Sequence, residues 1–339
     1  MMLVLTASMM VFTIAALFGG SADPVSNHAL AMLVYVLPVL IIVNAILLLF
    51  WLIRRRFHWA SMPALSLLCC IPYIGTVYQP GLFHSNNDEK TGVMLATYNV
   101  AAFGRETSGF KSSDILANMK TKNVDIFCVQ EYSDISGDRL NSNTYRDYFH
   151  HMAFGRNDMI IYSRYPIKQS QVIDFGDTNN SGMWADIEIN DKTIRVFNVH
   201  LETTGFNRTL SEYAKREMKG QVTEENALIK AIYNNYTLGM IIRSRQAKLV
   251  SQEIKNSPLP VIVCGDLNDV PYSYTYKTVM GDLVDGFKEC GSGFMSTYRG
   301  AKQFRIDYIF HDKSITGLNY YKQELYYSDH NPVYMKIAL

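Results

Sequence analysis

Apolar and polar positions follow two regimes along this chain. Up to residue 79 the apolar residues form long, nearly uncharged blocks; beyond it they form short runs broken by polar clusters. Three blocks stand out, at 2–19, 29–53 and 59–79. A helix needs roughly 20 apolar residues to cross a ~30 Å hydrocarbon layer, so the second is predicted to span and the other two are long enough to do so. Pro38, Pro63 and Pro72 are compatible with this, because neighbouring groups satisfy the carbonyl a proline frees. The first block also reads as a secretory signal, with small residues at Gly19, Gly20 and Ala22, but it lacks the basic start of such signals. A retained helix is the favoured expectation.

After a polar, turn-rich linker at 80–91, β-type runs appear at 93–98, 125–129, 159–162, 184–189, 193–199, 260–264, 305–310 and 333–337. Helical patterns cover 113–120 and a long amphipathic stretch at 210–255. The expected organisation is a membrane region at 1–79, the linker, and one layered α/β domain at 92–339.

Four of the apolar runs stop on a polar residue. "VMLATYN" ends at Asn99, "VDIFCVQE" at Glu131, "TIRVFNVH" at His200, and "PVIVCGDLN" at Asp266 and Asn268. Near the end of the chain, "RIDYIF" holds Asp307, and "YSDHNPV" puts Asp329 and His330 just before the last run. Taken singly, each residue has a plainer explanation as a turn former, a surface acid or a satisfied histidine. Recurrence is harder to explain that way. Strand ends on one edge of a layered scaffold can converge on a single cleft.

Charge refines the picture. Between Met1 and Gln79 the charged side chains are Asp23 and Arg54, Arg55 and Arg56. Removing these from the 32 basic and 31 acidic residues of the chain leaves 29 and 30, a formal charge of −1 for the remainder. A dedicated nucleic-acid binder usually carries a basic excess or stripe, and neither is evident. Three arginines directly after the second block mark a cytoplasmic loop. The third block then crosses outward, and the globular part is expected on the outer face, the periplasmic side in a bacterium. Cys69 and Cys70 lie in the third block, Cys128 and Cys264 in β-type runs, and Cys290 near a glycine-rich turn, with spacings that suggest neither zinc nor a disulfide framework.

Asn, Glu and Asp offer hard oxygen ligands, which suit Mg²⁺ or Mn²⁺ better than zinc. Two histidines suit a site that stabilises a phosphate and moves protons. Neither a nucleophile-elbow serine nor a Cys–His pair stands out, so metal-assisted attack by water is the simpler chemistry.

In their order, the blocks "TYN", "QE", "NVHLE", "GDLND", "RIDYIF" and "SDHNPV" resemble the endonuclease/exonuclease/phosphatase superfamily, over roughly residues 92 to 339. The resemblance implies a four-layered α/β sandwich of the deoxyribonuclease I type behind the transmembrane helices. It implies metal binding by Glu131 with Asn99 and Asp329 nearby, water activation by Asp266, and a phosphate oxygen held by Asn268. His200 and His330 would contact the scissile phosphate, with Asp307 orienting His330. Asp158 stands where many relatives carry a small residue, which leaves Asn157 and Asp158 open as site members. The stretch 203–247 departs from the pattern as either a solvated helical excursion or a lid facing the membrane. The expected substrate is a phosphoester, lipid or nucleic acid, with no protein partner. A non-enzymatic membrane protein of the same fold is disfavoured by the complete set of catalytic residue types.

Overall fold

The computed structural model describes residues 1–81, 91–101, 112–132, 145–156, 159–176, 178, 180–203, 205, 209, 212–213, 215, 225–299 and 304–339. Asn157 and Asp158 lie outside them. The chain divides into two compact units, one of residues 1–75, 202–247 and 272–277, the other of 76–201, 248–271 and 278–339.

In the first unit, helices Met2–Gly19 and Pro24–Ile53 are long and apolar enough to cross a membrane. A third span exists if Phe57–Cys69 and Ile71–Val77, bent by 46° relative to one another, act as one. The second helix starts earlier than its apolar block suggests, because Asp23 caps it by accepting from Val25 N at 3.0 Å. Polarity is inverted relative to a water-soluble bundle. Thr6, Thr13 and Asn44 are fully buried, while Val39, Ile42, Ile46 and Leu49 are each 60% exposed. Asn44 Nδ2 donates to Thr13 Oγ1 at 2.8 Å, and Trp51 Nε1 donates to Thr6 Oγ1 at 2.9 Å. Polar side chains joining helices from within, with an apolar outer surface, is the arrangement that hydrocarbon favours.

The second unit contains fourteen short strands among the described residues. They are β1 (Tyr78–Gln79), β2 (Val93–Asn99), β3 (Ile126–Gln130), β4 (His151–Phe154), β5 (Ile160–Ser163), β6 (Ile167–Ile173), β7 (Ser181–Ile189) and β8 (Lys192–His200). The rest are β9 (Val261–Asp266), β10 (Val284–Asp285), β11 (Gly293–Phe294), β12 (Asp307–His311), β13 (Thr316–Lys322) and β14 (Val333–Ala338). Two six-stranded sheets result, ordered β13-β14-β2-β3-β5-β4 and β10-β12-β9-β8-β7-β6, with β1 and β11 paired separately. The sheets are flanked by helices, as the α/β sandwich expectation requires.

Alternation along the strands builds the core. Val93, Leu95, Ile126, Cys128 and Ile161 of one sheet share a cluster with Ala185, Val196, Ile262, Cys264 and Ile309 of the other. The intervening residues Ala96, Tyr98, Phe127 and Val129 face outward onto Ile115, Leu116 and Met119 of helix Ser112–Thr121. Period-two geometry then puts Asn99 on the same face as Leu95, His200 with Val196, Asp266 with Ile262, and Asp307 with Ile309. Register aligns the upper ends. His200 pairs with Asp266, and Asp266 with Asp307.

Two close fits hold the unit. Gly265 adopts a positive φ, and a Cβ there would sit 2.0 Å from the Val199 carbonyl oxygen, so only glycine allows β8 and β9 to meet just below the site. At the other close fit, Arg305 is 2% exposed and chelates Asp285, 3% exposed, through its two terminal guanidinium nitrogens. Its guanidinium carbon also lies 4.7 Å from the Phe287 ring centroid and 4.6 Å from that of Tyr308.

The pattern of polar and apolar positions missed β4, β6 and β13 and the two-residue strands β1, β10 and β11. In β6 five consecutive residues are exposed, so the alternation that marks a half-buried strand is absent. The long helix runs Glu225–Lys255; most of the earlier part of the expected 210–255 element lies outside the described residues.

Replacing Asp285 with Asn leaves the Arg305 charge buried without its counter-ion and is expected to destabilise the fold by about 3–5 kcal/mol. Denaturant unfolding of the full chain in detergent would measure it. Trp184 is a suitable reporter, since Arg195 stacks 3.5 Å from its ring centroid. A loss below about 1 kcal/mol, the range of an exposed pair, would contradict it.

Candidate active site

The strand ends described above bring acidic, amide and imidazole groups together. Asn99 Nδ2 donates to Glu131 Oε1 at 3.0 Å and to Asp266 Oδ2 at 3.1 Å, linking a carboxylate from each sheet. His200 Nε2 lies 3.5 Å from Glu131 Oε1 and 3.9 Å from Asp266 Oδ2. His330 Nε2 approaches Asp266 Oδ2 at 3.7 Å, while its Nδ1 donates to Asp307 Oδ2 at 3.0 Å. Asn268 donates its backbone N–H to Asp266 Oδ1 at 2.7 Å and its amide to the Leu201 carbonyl at 2.9 Å. The geometry therefore gathers Asn99, Glu131, His200, Asp266, Asn268, Asp307 and His330. Asp329 is exposed at the rim, and its carboxylate accepts a long contact of 3.4 Å from Ser328 Oγ.

Backbone conformation contributes. Glu131 and Asn268 leave their strands with positive φ, in the left-handed region that non-glycine residues seldom adopt. Such conformations cluster where a side chain must be aimed.

Burial and charge set the proton affinities. Burial raises the Asp266 carboxyl, as does neighbouring Asp307; His330, His200 and the Asn268 N–H pull the other way, leaving it at about 6. Burial alone would lower His330, but Asp307 and Asp266 outweigh it and lift the imidazole to about 10. The floor is thus a buried imidazolium between two carboxylates, while the Glu131 side chain is 43% exposed toward the opening.

Asp266, Asp307 and His330 offer ligand atoms within 4.8 Å of one another and form a possible metal site. The Asp307–His330 hydrogen bond already occupies one of those carboxylates, so this trio has the chemistry of a proton relay as well. Glu131 adds a carboxylate beside Asp266, while Asn99 turns its amide nitrogen toward both acids, and the carboxylates make a donor set that fits a hard divalent cation. The Asn99 amide is oriented by its hydrogen bonds, and its carbonyl accepts from Ala101 N at 3.0 Å.

A family model described as Endonuclease/Exonuclease/phosphatase family matches residues 96–330, the span that carries all of these groups. The chain belongs to this family. Its members hydrolyse phosphoester bonds, and the chain is accordingly a hydrolase of that class. Residues 1–77 match a second model, Domain of unknown function (DUF8431). No curated protein matches the chain. Among solved structures, an endonuclease/exonuclease/phosphatase from Beutenbergia cavernae is similar with a TM-score of 0.54 at 18% identity, covering 74% of this chain and 72% of that one. Humanized D. rerio TDP2 is similar with a TM-score of 0.53 at 16% identity, over 74% of this chain and 100% of that one. A variant of beta toxin from Staphylococcus aureus with bound magnesium ions reaches a TM-score of 0.50 at 19% identity, over 73% and 99% respectively. These likenesses share the family fold.

Several residues around the site were not singled out from sequence. Gln130 Nε2 donates to Asn198 Oδ1 at 2.6 Å and to Thr97 Oγ1 at 3.0 Å, and Asn198 Nδ2 donates to the carbonyls of Val129 and Ile160. This fully buried amide layer crosses between the sheets, with Thr97 and Asn198 each two residues below a strand-end group. Their signal was a polar side chain at an inward position of an apolar strand. Ser328 Oγ donates to the Asn99 carbonyl at 2.7 Å and accepts from His330 N at 3.1 Å. Thr297 Oγ1 accepts from the backbone N–H groups of Ile306 and Asp307, at 3.0 and 3.1 Å. Tyr298 meets the His330 ring edge-on at 5.2 Å.

Because folding raises the His330 pKa, the stabilisation it brings is complete below the ordinary value of 6.5 and is lost as pH rises through about 10. Asp307→Asn removes the largest favourable contribution and should flatten that dependence. Unfolding of the two full-length proteins across the same pH range tests this; parallel curves would refute it.

Proposed function

We propose that this chain is a membrane-tethered, Mg²⁺-dependent phosphoesterase that hydrolyses phosphoesters in lipid head groups. The carrying observation is the meeting of Glu131, His200, Asp266 and His330 from both sheets through successive contacts of 3.5, 3.9 and 3.7 Å, in a chain whose first helices present apolar surface outward. Tethering favours a membrane substrate, since confinement raises effective concentration there. The beta toxin relative holds magnesium ions, and an oxygen-rich donor set is the kind Mg²⁺ prefers, with Mn²⁺ its nearest substitute.

Glu131, with Asn99 and Asp329, would hold the cation. When bound, it neutralises phosphate charge and polarises the phosphorus centre toward attack. The remaining work belongs to the protein. Asp266, with its affinity near 6, accepts a proton from the attacking water at neutral pH. His330, kept cationic by Asp307, donates to a phosphate oxygen as negative charge builds in the transition state. His200 faces the same oxygens from the other side, and Asn268 steadies Asp266 and holds a phosphate oxygen.

In this reading residues 1–79 are the membrane region, with three crossings that end before β1, 80–91 the linker and 92–339 the catalytic domain. Arg54, Arg55 and Arg56 stay on the cytoplasmic side, so the catalytic domain faces outward, toward the periplasm in a bacterial inner membrane. The alternative substrate is nucleic acid, acted on in many branches of the family. The formal charge of −1 beyond residue 79 weighs against it.

The full chain in vesicles, offered sphingomyelin, a phosphoinositide, plasmid DNA and an abasic duplex, should release product from a lipid with Mg²⁺ and stop when a chelator is added. Cleavage of DNA alone would eliminate the lipid reading, and turnover that survives the chelator would eliminate the metal. Glu131→Gln and Asp266→Asn should each lower kcat by roughly 10²–10⁴.

A further inference from the structure

Residues 202–247 and 272–277 follow strands β8 and β9 in the chain yet belong to the unit of the apolar helices. Within that unit, the first part of helix Glu225–Lys255 carries one apolar stripe. Ile229, Tyr233, Tyr236 and Met240 are spaced i, i+4, i+7, i+11, which places them on one side of the helix. Burial changes steadily along this stripe. Met240 is 2% exposed, Tyr236 is half-buried, Tyr233 is 46% exposed and Ile229 is 65% exposed. Tyr236 packs edge-on against Tyr35, with centroids 5.2 Å apart, and Tyr233 lies 6.3 Å from His28. The stripe thus meets the helix Pro24–Ile53 at Tyr35 and His28, and Ile229 follows one turn further along. Lys230, Asn234 and Arg245 are exposed off this stripe, where Leu238 is also 57% exposed.

The depth of this contact can be read from the aromatic residues. Tyr35, with His28 and, on helix Ile71–Val77, Tyr73, lies toward one end of the apolar helices. Tyr73 meets Tyr272 edge-on at 5.9 Å, and Lys277 Nζ donates to Ser21 Oγ at 2.9 Å while stacking on Tyr272. The other end holds Trp51 and Trp59, 6.5 Å apart, next to Arg54, Arg55 and Arg56. At 1.5 Å per helical residue Tyr35 lies about 24 Å from Trp51 and His28 about 35 Å from it, which brackets the ~30 Å thickness of a hydrocarbon layer and puts its outer boundary between Tyr35 and His28. Two aromatic girdles at that spacing mark the two interfaces of a bilayer.

We infer that residues 225–240 form an amphipathic helix lying in the outer lipid interface, with Ile229 and Tyr233 inserted among the lipid chains beside the spanning helices. The inference rests on the membrane embedding proposed above. It follows from continuity: Tyr236 packs on an apolar helix, and what flanks such a helix at the level of its aromatic girdle is lipid. Lys230 and Asn234 then face water and head groups. Of the two readings of the 203–247 stretch, this favours the membrane-facing one.

The test uses the full chain in phosphatidylcholine vesicles containing lipids brominated near the top of the acyl chain. Ile229→Trp and Asn234→Trp are each compared with the parent, whose Trp51, Trp59 and Trp184 supply the background emission. Both positions are exposed, so folding is not at stake. Emission added at position 229 should be blue-shifted and quenched roughly threefold more strongly than that added at 234, as expected for opposite sides of an interfacial helix. Alkaline carbonate washing of the same vesicles checks the embedding separately. Release of the chain by the wash would overturn the embedding and this inference together. Retention with equal quenching at the two positions would overturn this inference alone.

Discussion

Two buried amide bridges between the sheets govern the rest of the structure. Gln130 and Asn198 join at 2.6 Å in the interior, and one layer above them Asn99 reaches Asp266 at 3.1 Å. A buried polar group without a partner is destabilising by about 1–3 kcal/mol, so these contacts fix both the separation of the sheets and their relative shift. A slip of one residue in either sheet would turn Asn99 or His200 to the opposite face. The geometry of the reactive groups is therefore inherited from packing that is complete before any substrate arrives.

That packing explains how so much electrostatic conflict is tolerated in a small volume. Asp266 and Asp307 are both about 1% exposed and would repel one another strongly if left alone. His330 stands between them as a cation, and Asn268 and Asn99 supply further donors to Asp266. Each carboxylate is acceptable only because its neighbours are in place, which makes the group a single electrostatic unit rather than a set of independent residues.

The candidate site was legible in the sequence because strand ends are local features. Asn99, Glu131, His200 and Asp266 each sit where an apolar alternation breaks off, and the order of the blocks matched a family. The supporting layer was harder to see. Thr97, Gln130 and Asn198 lie inside or at the end of strands, where a single polar residue has no local meaning until the opposing sheet is known. Edge strands such as β6 were invisible for the opposite reason: little of their surface is buried, so composition carries no period. Contacts between Tyr35 and Tyr236, two hundred residues apart in sequence, leave no trace in either segment.

The discontinuity of the first unit has a consequence for biosynthesis. Its last piece, 272–277, emerges from the ribosome only after β9 has been made, long after the apolar helices are available for insertion. Until then Tyr73 and Ser21 await Tyr272 and Lys277, the residues that meet them in the finished protein. Domains that fold from contiguous segments can close during synthesis; this one cannot. A fragment begun after residue 79 would be made with Tyr236 deprived of Tyr35 and Tyr272 of Tyr73, which exposes it to aggregation and proteolytic clearance.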